Sequence, residues 1–346
     1  MRKWLILSIV AAATLLWWVK QPTTKNDRVM DETTIEENLD QNITSNDTET
    51  LKLSDLIKYQ PKASSLVEVE KIKESRYEKS IVTYESDGYT IRALLGIPLG
   101  KMVDGGWPVI IFNHGYIPPM EYRTNEKYVA YFDRLVLAGY VVVKSDYRGH
   151  GESEGEAEGG YGSDAYSRDI RNLVATMKLD SRINPDRVGM WGHSMGGHIT
   201  LRNMVVDPSI KAGVNWAGVV ASYPDLLNNW LRTRSSPLPS LSYPGRRWRN
   251  LLQEKYGTPE QNPEFWNSIS ATSYLGDISG PLELHHGTAD TSVPIAFSRT
   301  LKEKMTAVNK KVELYEYPGD DHNISQNFGV AMDRTIKFFD EHLAKK

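Results

Sequence analysis

Gly192-His193-Ser194-Met195-Gly196-Gly197 follows directly on the apolar run Arg187-Val188-Gly189-Met190-Trp191 and leads into a helix-compatible stretch at 198–206. A strand that turns this abruptly into a helix needs small residues at 192, 196 and 197. Side chains there would collide with neighbouring backbone as Ser194 is pushed into a strained, exposed conformation. The pattern is that of a serine held on a nucleophile elbow. Gly-x-Ser-x-Gly alone recurs by chance, so the strand before it and the helix after it carry the reading.

Working outward, strand-like and helix-like segments alternate from residue 66 onward, the signature of a mostly parallel sheet with helices on both faces. The fold class is α/β. Segments 80–84 and 90–97 flank the turn signal Ser86-Asp87-Gly88 and predict an antiparallel pair. Buried strands are predicted at 109–112, 140–143, 187–191, 212–216, 282–285 and 312–317. Helices fit at 127–138, 163–179, 196–206, 295–309 and 326–343. Residues 222–275 break the alternation, with Pro224, Pro237, Pro239, Pro244, Pro259 and Pro263 among Trp230, Trp248 and Trp266. This stretch reads as a cap insertion.

A serine hydroxyl is a poor nucleophile at neutral pH and needs a histidine to take its proton and a carboxylate to orient that histidine. On such a sheet the acid and then the base follow the serine in the chain, each on a loop after a strand. His286-Gly287-Thr288-Ala289-Asp290 follows the predicted strand at 282–285, and Pro318-Gly319-Asp320-Asp321-His322 follows that at 312–317. Asp290 is therefore the candidate orienting acid and His322 the candidate base. The bland alternatives are a helix cap for Asp290 and an exposed loop position for His322. Asp277 precedes its strand and belongs at the wrong sheet edge, while Asp320 and Asp321 read as solvated loop charges. Charge developing on the attacked carbonyl calls for backbone N–H donors. Met195, after the serine, supplies one, and Tyr116, in the early loop Asn113-His114-Gly115-Tyr116, supplies the other. His114 is expected to brace that loop.

The turn Asp146-Tyr147-Arg148-Gly149-His150-Gly151 lacks the Lys-Ser/Thr pair of a phosphate loop and reads as scaffold. Glu152, Glu154, Glu156 and Glu158 lack calcium-loop spacing. His285 and His286 point to opposite faces of a strand end, which argues against a shared metal. No metal or cofactor is implied.

Composition sets the outer bounds. The 346 residues, 40% hydrophobic and 25% charged, suit one large domain or two small ones. A net charge of −3 without a basic, aromatic-interleaved face excludes a nucleic-acid partner, and the absence of cysteine excludes disulfides and thiolate chemistry. Arg2 and Lys3 precede an apolar run at 4–19, closed by Lys20, and Trp17-Trp18 occupies the place of a cleavage site. Residues 1–20 are thus expected to be an uncleaved membrane anchor with the remainder outside the cytoplasm, the alternative being a cleaved signal and a secreted protein. Residues 21–65 read as a polar, acidic tether with a short docking helix at 51–59. Residues 66–346 form the catalytic domain, with the cap at 222–275.

From about residue 80 to its end, the chain resembles the α/β-hydrolase superfamily, and within it the prolyl oligopeptidase catalytic domain and its bacterial esterase-like relatives. The resemblance rests on Asn113-His114-Gly115, the Asp146–Gly151 turn, the elbow, His286–Asp290 with Val293-Pro294, and His322, all in the family's order. It implies an α/β-hydrolase fold and acyl transfer to water through an acyl-enzyme on Ser194, without metal or organic cofactor. The substrate it implies is a small peptide or ester. Two departures matter: only about 65 residues precede the domain, far short of a propeller, and no acidic pair for a free substrate amino end is identifiable. A carboxylesterase with the same triad is the alternative. A non-catalytic surface binding protein is a third reading, and it predicts a missing triad member.

Overall fold

Strand character is strongest where β-branched and aromatic residues run together, and among the described residues nine such segments join one sheet. The computed structural model describes residues 51–102, 104–230 and 247–343. The anchor expected at 1–20, the tether as far as residue 50 and the cap segment 231–246 lie outside them.

The strands are β1 (Val67–Ile72), β2 (Tyr77–Ser86), β3 (Tyr89–Pro98), β4 (Trp107–Asn113), β5 (Val141–Ser145), β6 (Ile183–His193), β7 (Ile210–Trp216), β8 (Leu282–Gly287) and β9 (Val312–Tyr317). Their order is β1-β2-β3-β5-β4-β6-β7-β8-β9. The first three and the β3–β5 junction are antiparallel, and the rest is parallel. The β2–β3 hairpin turns on Asp87 (φ 53°) and Gly88 (φ 89°), both left-handed as a two-residue hairpin loop requires. β1 has no counterpart among the expected strands. Its Val67 and Val69 are 57% and 48% exposed, so no buried face marks it.

Nine helices are described: α1 (Leu53–Lys58), α2 (Val129–Leu137), α3 (Ala165–Met177), α4 (Met195–Val206), α5 (Tyr223–Asn228), α6 (Arg247–Tyr256), α7 (Pro263–Ile269), α8 (Ala296–Ala307) and α9 (Phe328–His342). The pleat divides the core into two layers. Val109, Ile111, Val141 and Val143 face α3 and α4, joining Ile170, Leu173 and Ile199. Ile110, Phe112 and Val142 face α2 and α9, joining Phe132, Leu135 and Phe339. The sheet is therefore covered on both faces.

Two stretches that looked peripheral are built into this core. Trp248, Leu252, Phe265, Trp266 and Ile269, from the range read as a cap, belong to the same apolar cluster as α3 and α4. Leu51, Leu53 and Leu56 are fully buried in it too, where a short docking helix is expected at 51–59. Arg202 of α4 fastens both, donating to the carbonyls of Ile269 at 2.8 Å and Leu51 at 2.9 Å. Arg171 of α3 donates to the carbonyls of Leu56 and Tyr59. Three leucines thus supply α1 and its approach with an apolar face that packs into the core.

Candidate active site

β6 runs on through Gly192 and His193, which pair with Asn215 and Trp216 of β7. The chain then reverses at Ser194, whose backbone (φ 55°, ψ −117°) is one that side-chain-bearing residues seldom adopt. Three backbone bonds hold it there: Ser194 N–H donates to Trp216 O at 3.0 Å, and Ser194 O accepts from Gly197 N–H at 3.0 Å and Val219 N–H at 2.9 Å. The glycines are required sterically. A Cβ on Gly196 would lie 1.9 Å from Asn113 O, one on Gly192 2.4 Å from Gly196 O, and one on Gly197 2.6 Å from Gly218 Cα. Met195 opens α4 directly after the serine, so its N–H has no partner within the helix and sits at the positive end of the helix dipole.

β8 and β9 are parallel neighbours in register from Leu282 with Val312 to Gly287 with Tyr317, so their following loops leave the same edge. Those loops bring Asp290 and His322 together: His322 Nδ1–H donates to Asp290 Oδ2 at 2.7 Å. Asp290 Oδ1 accepts from the N–H groups of Ser292 (2.7 Å) and Val293 (3.0 Å), and Oδ2 also lies 3.2 Å from His286 Nε2. Burial pushes the Asp290 carboxyl up, but hydrogen bonds from His286 and His322 outweigh it and hold the group well below the usual carboxylate range. The helix-cap and catalytic readings of Asp290 thus share one side chain, with one oxygen on the backbone and the other on the imidazoles. His322 keeps 20% of its side-chain surface open to solvent, whereas Asp290 has none.

Asp320 differs from expectation. It is fully buried and accepts from the backbone of Asp321, Gln326 and Asn327 and from the Asn327 side chain. Four donors compensate its burial, and it shapes the loop carrying His322. Asp321 is exposed and ties Asn323 and Ser325 in the same loop. Asp277 ends a short turn before β8.

The loop after β4 passes against the elbow. A Cβ on Gly115 would lie 3.1 Å from Ser194 Cβ, so the glycine lets the backbone pass close to the serine. Tyr116 follows with 58% of its surface exposed. His114 is buried, stacked at 4.6 Å on Tyr122 and packed 4.4 Å from Tyr147, with Nδ1 2.7 Å from Gly115 O. Burial and the neighbouring His150 and Lys144 lower its pKa well below the usual histidine value, so it braces the loop as a neutral ring. In the Asp146–Gly151 turn, Arg148 is buried and meets Asp169 at 2.7 Å and Asp87 at 2.9 Å, tying the turn to α3 and the β2–β3 hairpin. Among the described residues no three His, Asp or Glu side chains converge as a metal site.

Four contributors escaped the sequence reading. Asp320, expected as a solvated loop charge, is buried, and His286, which opens the motif that ends at Asp290, abuts Asp290 while its Nδ1 bonds Ser298 Oγ at 2.8 Å. His193 and Tyr128 bond each other at 2.7 Å beside the serine. His193 stood in plain view inside the elbow; Tyr128 has no motif around it.

A profile described as serine aminopeptidase, S33, matches residues 108–265, a span that contains Ser194 and ends before Asp290. The chain is 27% identical over 269 residues to the uncharacterized peptidase YuxL of Bacillus subtilis, covering 74% of this chain and 38% of that protein. It thus spans well under half the length of the curated relatives it matches. Among solved structures, the Pyrococcus horikoshii acylaminoacyl peptidase superposes with a TM-score of 0.60 at 23% identity, over 79% of this chain and 43% of the other. Acetyl xylan esterase 1 from Thermoanaerobacterium superposes with a TM-score of 0.62 at 19% identity, over 89% and 98%. With the parallel sheet, the elbow after β6 and the Asp290 and His322 loops after β8 and β9, these likenesses show that the chain has the α/β-hydrolase fold.

Proposed function

We propose that the protein is a serine hydrolase cleaving a small peptide, amide or ester through an acyl-enzyme on Ser194. The observation that carries this is the 2.7 Å bond between His322 and Asp290 on neighbouring strand ends, beside a serine on a strained elbow. Asp290 occupies Nδ1 of the base, which leaves Nε2 to take the Ser194 proton as Oγ attacks the carbonyl carbon. The resulting oxyanion is met by the N–H groups of Met195 and Tyr116. His322 then gives its proton to the departing amine or alcohol as the acyl bond breaks. Water repeats the sequence, and Ser194 recovers its proton.

The peptidase form of this reading is supported by the serine aminopeptidase profile and the peptidase relative. The esterase form draws on the structural likeness to an acetyl xylan esterase. Residues 4–19 are proposed to hold the enzyme to a membrane, with its site outside the cytoplasm; among the described residues no helix is long and apolar enough to cross one.

A fluorophosphonate probe tests the core of the proposal. Wild-type protein should label once, at Ser194, and Ser194→Ala should not label; equal labelling of both removes the assignment. Aminoacyl anilides and short-chain aryl esters, assayed side by side, separate the two forms. Amide turnover negligible beside ester turnover rules out the peptidase.

A further inference from the structure

We infer that Tyr128 and His193 are positioning residues, a hydrogen-bonded link that sets the oxyanion loop and the loop of the base in one fixed relation around Ser194. The inference rests on the serine-hydrolase reading and concerns how its parts are held. Gly115 N–H donates to Tyr128 Oη at 2.9 Å, Tyr128 Oη lies 2.7 Å from His193 Nδ1, and His193 Nε2 lies 3.0 Å from His322 O.

Polarity fixes every proton in this link. The carbonyl of His322 can only accept, so Nε2 of His193 carries the hydrogen and Nδ1 is bare. Tyr128 must then donate to Nδ1, which leaves its oxygen lone pairs for Gly115 N–H. Such an arrangement requires a neutral His193. Burial, and then repulsion from His322, push its pKa down to about 3, so it is neutral at neutral pH.

The surroundings are built to keep this geometry. A Cβ on Gly115 would come 2.7 Å from Tyr128 Oη and 3.2 Å from His193 Nδ1, so any other residue there displaces the link. Tyr128 stands at φ 65°, a costly backbone for a bulky residue, at the entry to α2. His193 is 3% exposed, and its ring lies 4.6 Å from that of His322. One imidazole adjoining the nucleophile in sequence therefore touches the base through its backbone and the oxyanion loop through one phenol. A shift in any one of the three moves the others.

The test reads the second-order rate of fluorophosphonate labelling at Ser194, which needs both base and oxyanion donors and no knowledge of the substrate. Tyr128→Phe and His193→Leu should each slow labelling about tenfold or more, because sub-ångström misplacement of reacting groups is costly. The double variant should be slowed no more than about threefold beyond either single, since both cut one link. His193→Gln, which keeps one acceptor and one donor, should recover at least half of the logarithmic loss of His193→Leu. Thermal melts identify any variant that fails to fold, in which case the remaining single variant and the Gln rescue decide. Losses that multiply in the double variant, or a Leu variant as fast as Gln, overturn the link and leave the hydrolase reading intact. A wild-type protein that does not label at all overturns both.

Discussion

Asp290 shows how much one side chain is asked to do. Its carboxylate is buried, orients His322 at 2.7 Å and closes its own loop through Ser292 and Val293. Asp290→Asn keeps the shape but offers an amide N–H where His322 Nδ1–H donates, favouring the wrong tautomer. Turnover should fall on the order of 10³- to 10⁴-fold with little change in KM, measured on whichever ester or amide the wild type accepts. The same carboxylate sets an acid limb of stability. Its pKa is held below the usual range, so its stabilising contribution is complete above about pH 4, the ordinary carboxyl value, and drains away as pH falls through the folded value. Urea midpoints between about pH 5 and about pH 2 should fall more steeply for wild type than for Asp290→Asn. An identical slope would mean that Asp290 is not ionised against His286 and His322. At this scale the pairing of Asp290 with His322 was legible because each stands on a loop after a strand, downstream of the elbow serine. The supporting atoms were not. Asp320 looks like any loop aspartate until the backbone of Gln326 and Asn327 closes on it.

The β6–Ser194–α4 elbow is the element on which the site turns, and its tolerance is small. Gly196→Ala would place a methyl 1.9 Å from Asn113 O, against backbone that β4 and β6 hold in register. Overpacking of this kind costs about 3 kcal/mol or more, so the variant should lose that much in denaturant unfolding or fail to accumulate. Gly276→Ala, with nothing within 4 Å of the added methyl, is the matched control and should be near neutral. The elbow could be read from sequence because its small residues stand at fixed spacing around Ser194, although the clashes that require Gly196 and Gly197 come from Asn113 O and Gly218 Cα, distant in the chain. β1 could not, since a strand exposed along its length has no apolar face to betray it. Residues 222–275 read as a cap insertion from their prolines and tryptophans, and the sequence does not reveal that Trp266 and Ile269 among them are core residues, because their partners lie far away in the chain.

At the scale of the whole molecule, the segment from Leu51 to Ser64 is joined to the domain. Leu51, Leu53 and Leu56 are fully buried, and Lys62 N–H and Ser64 N–H donate to Asn172 Oδ1 and Thr176 Oγ1 at 2.8 and 3.0 Å. Leu56→Ala should therefore cost about 2–5 kcal/mol. Deleting residues 1–65 should yield aggregated protein, while deleting 1–45 should leave a soluble, cooperatively melting domain. Equal solubility of the two truncations would show that the segment is a tether after all. The hydrogen bond from Arg202 to Leu51 O spans 151 positions of chain. At roughly 5–20 residues per second of synthesis, the leucines emerge about 8–30 s before the arginine that fastens them. For that interval three leucines that end in the core have no α4 to pack on, and they offer an apolar face to neighbouring copies.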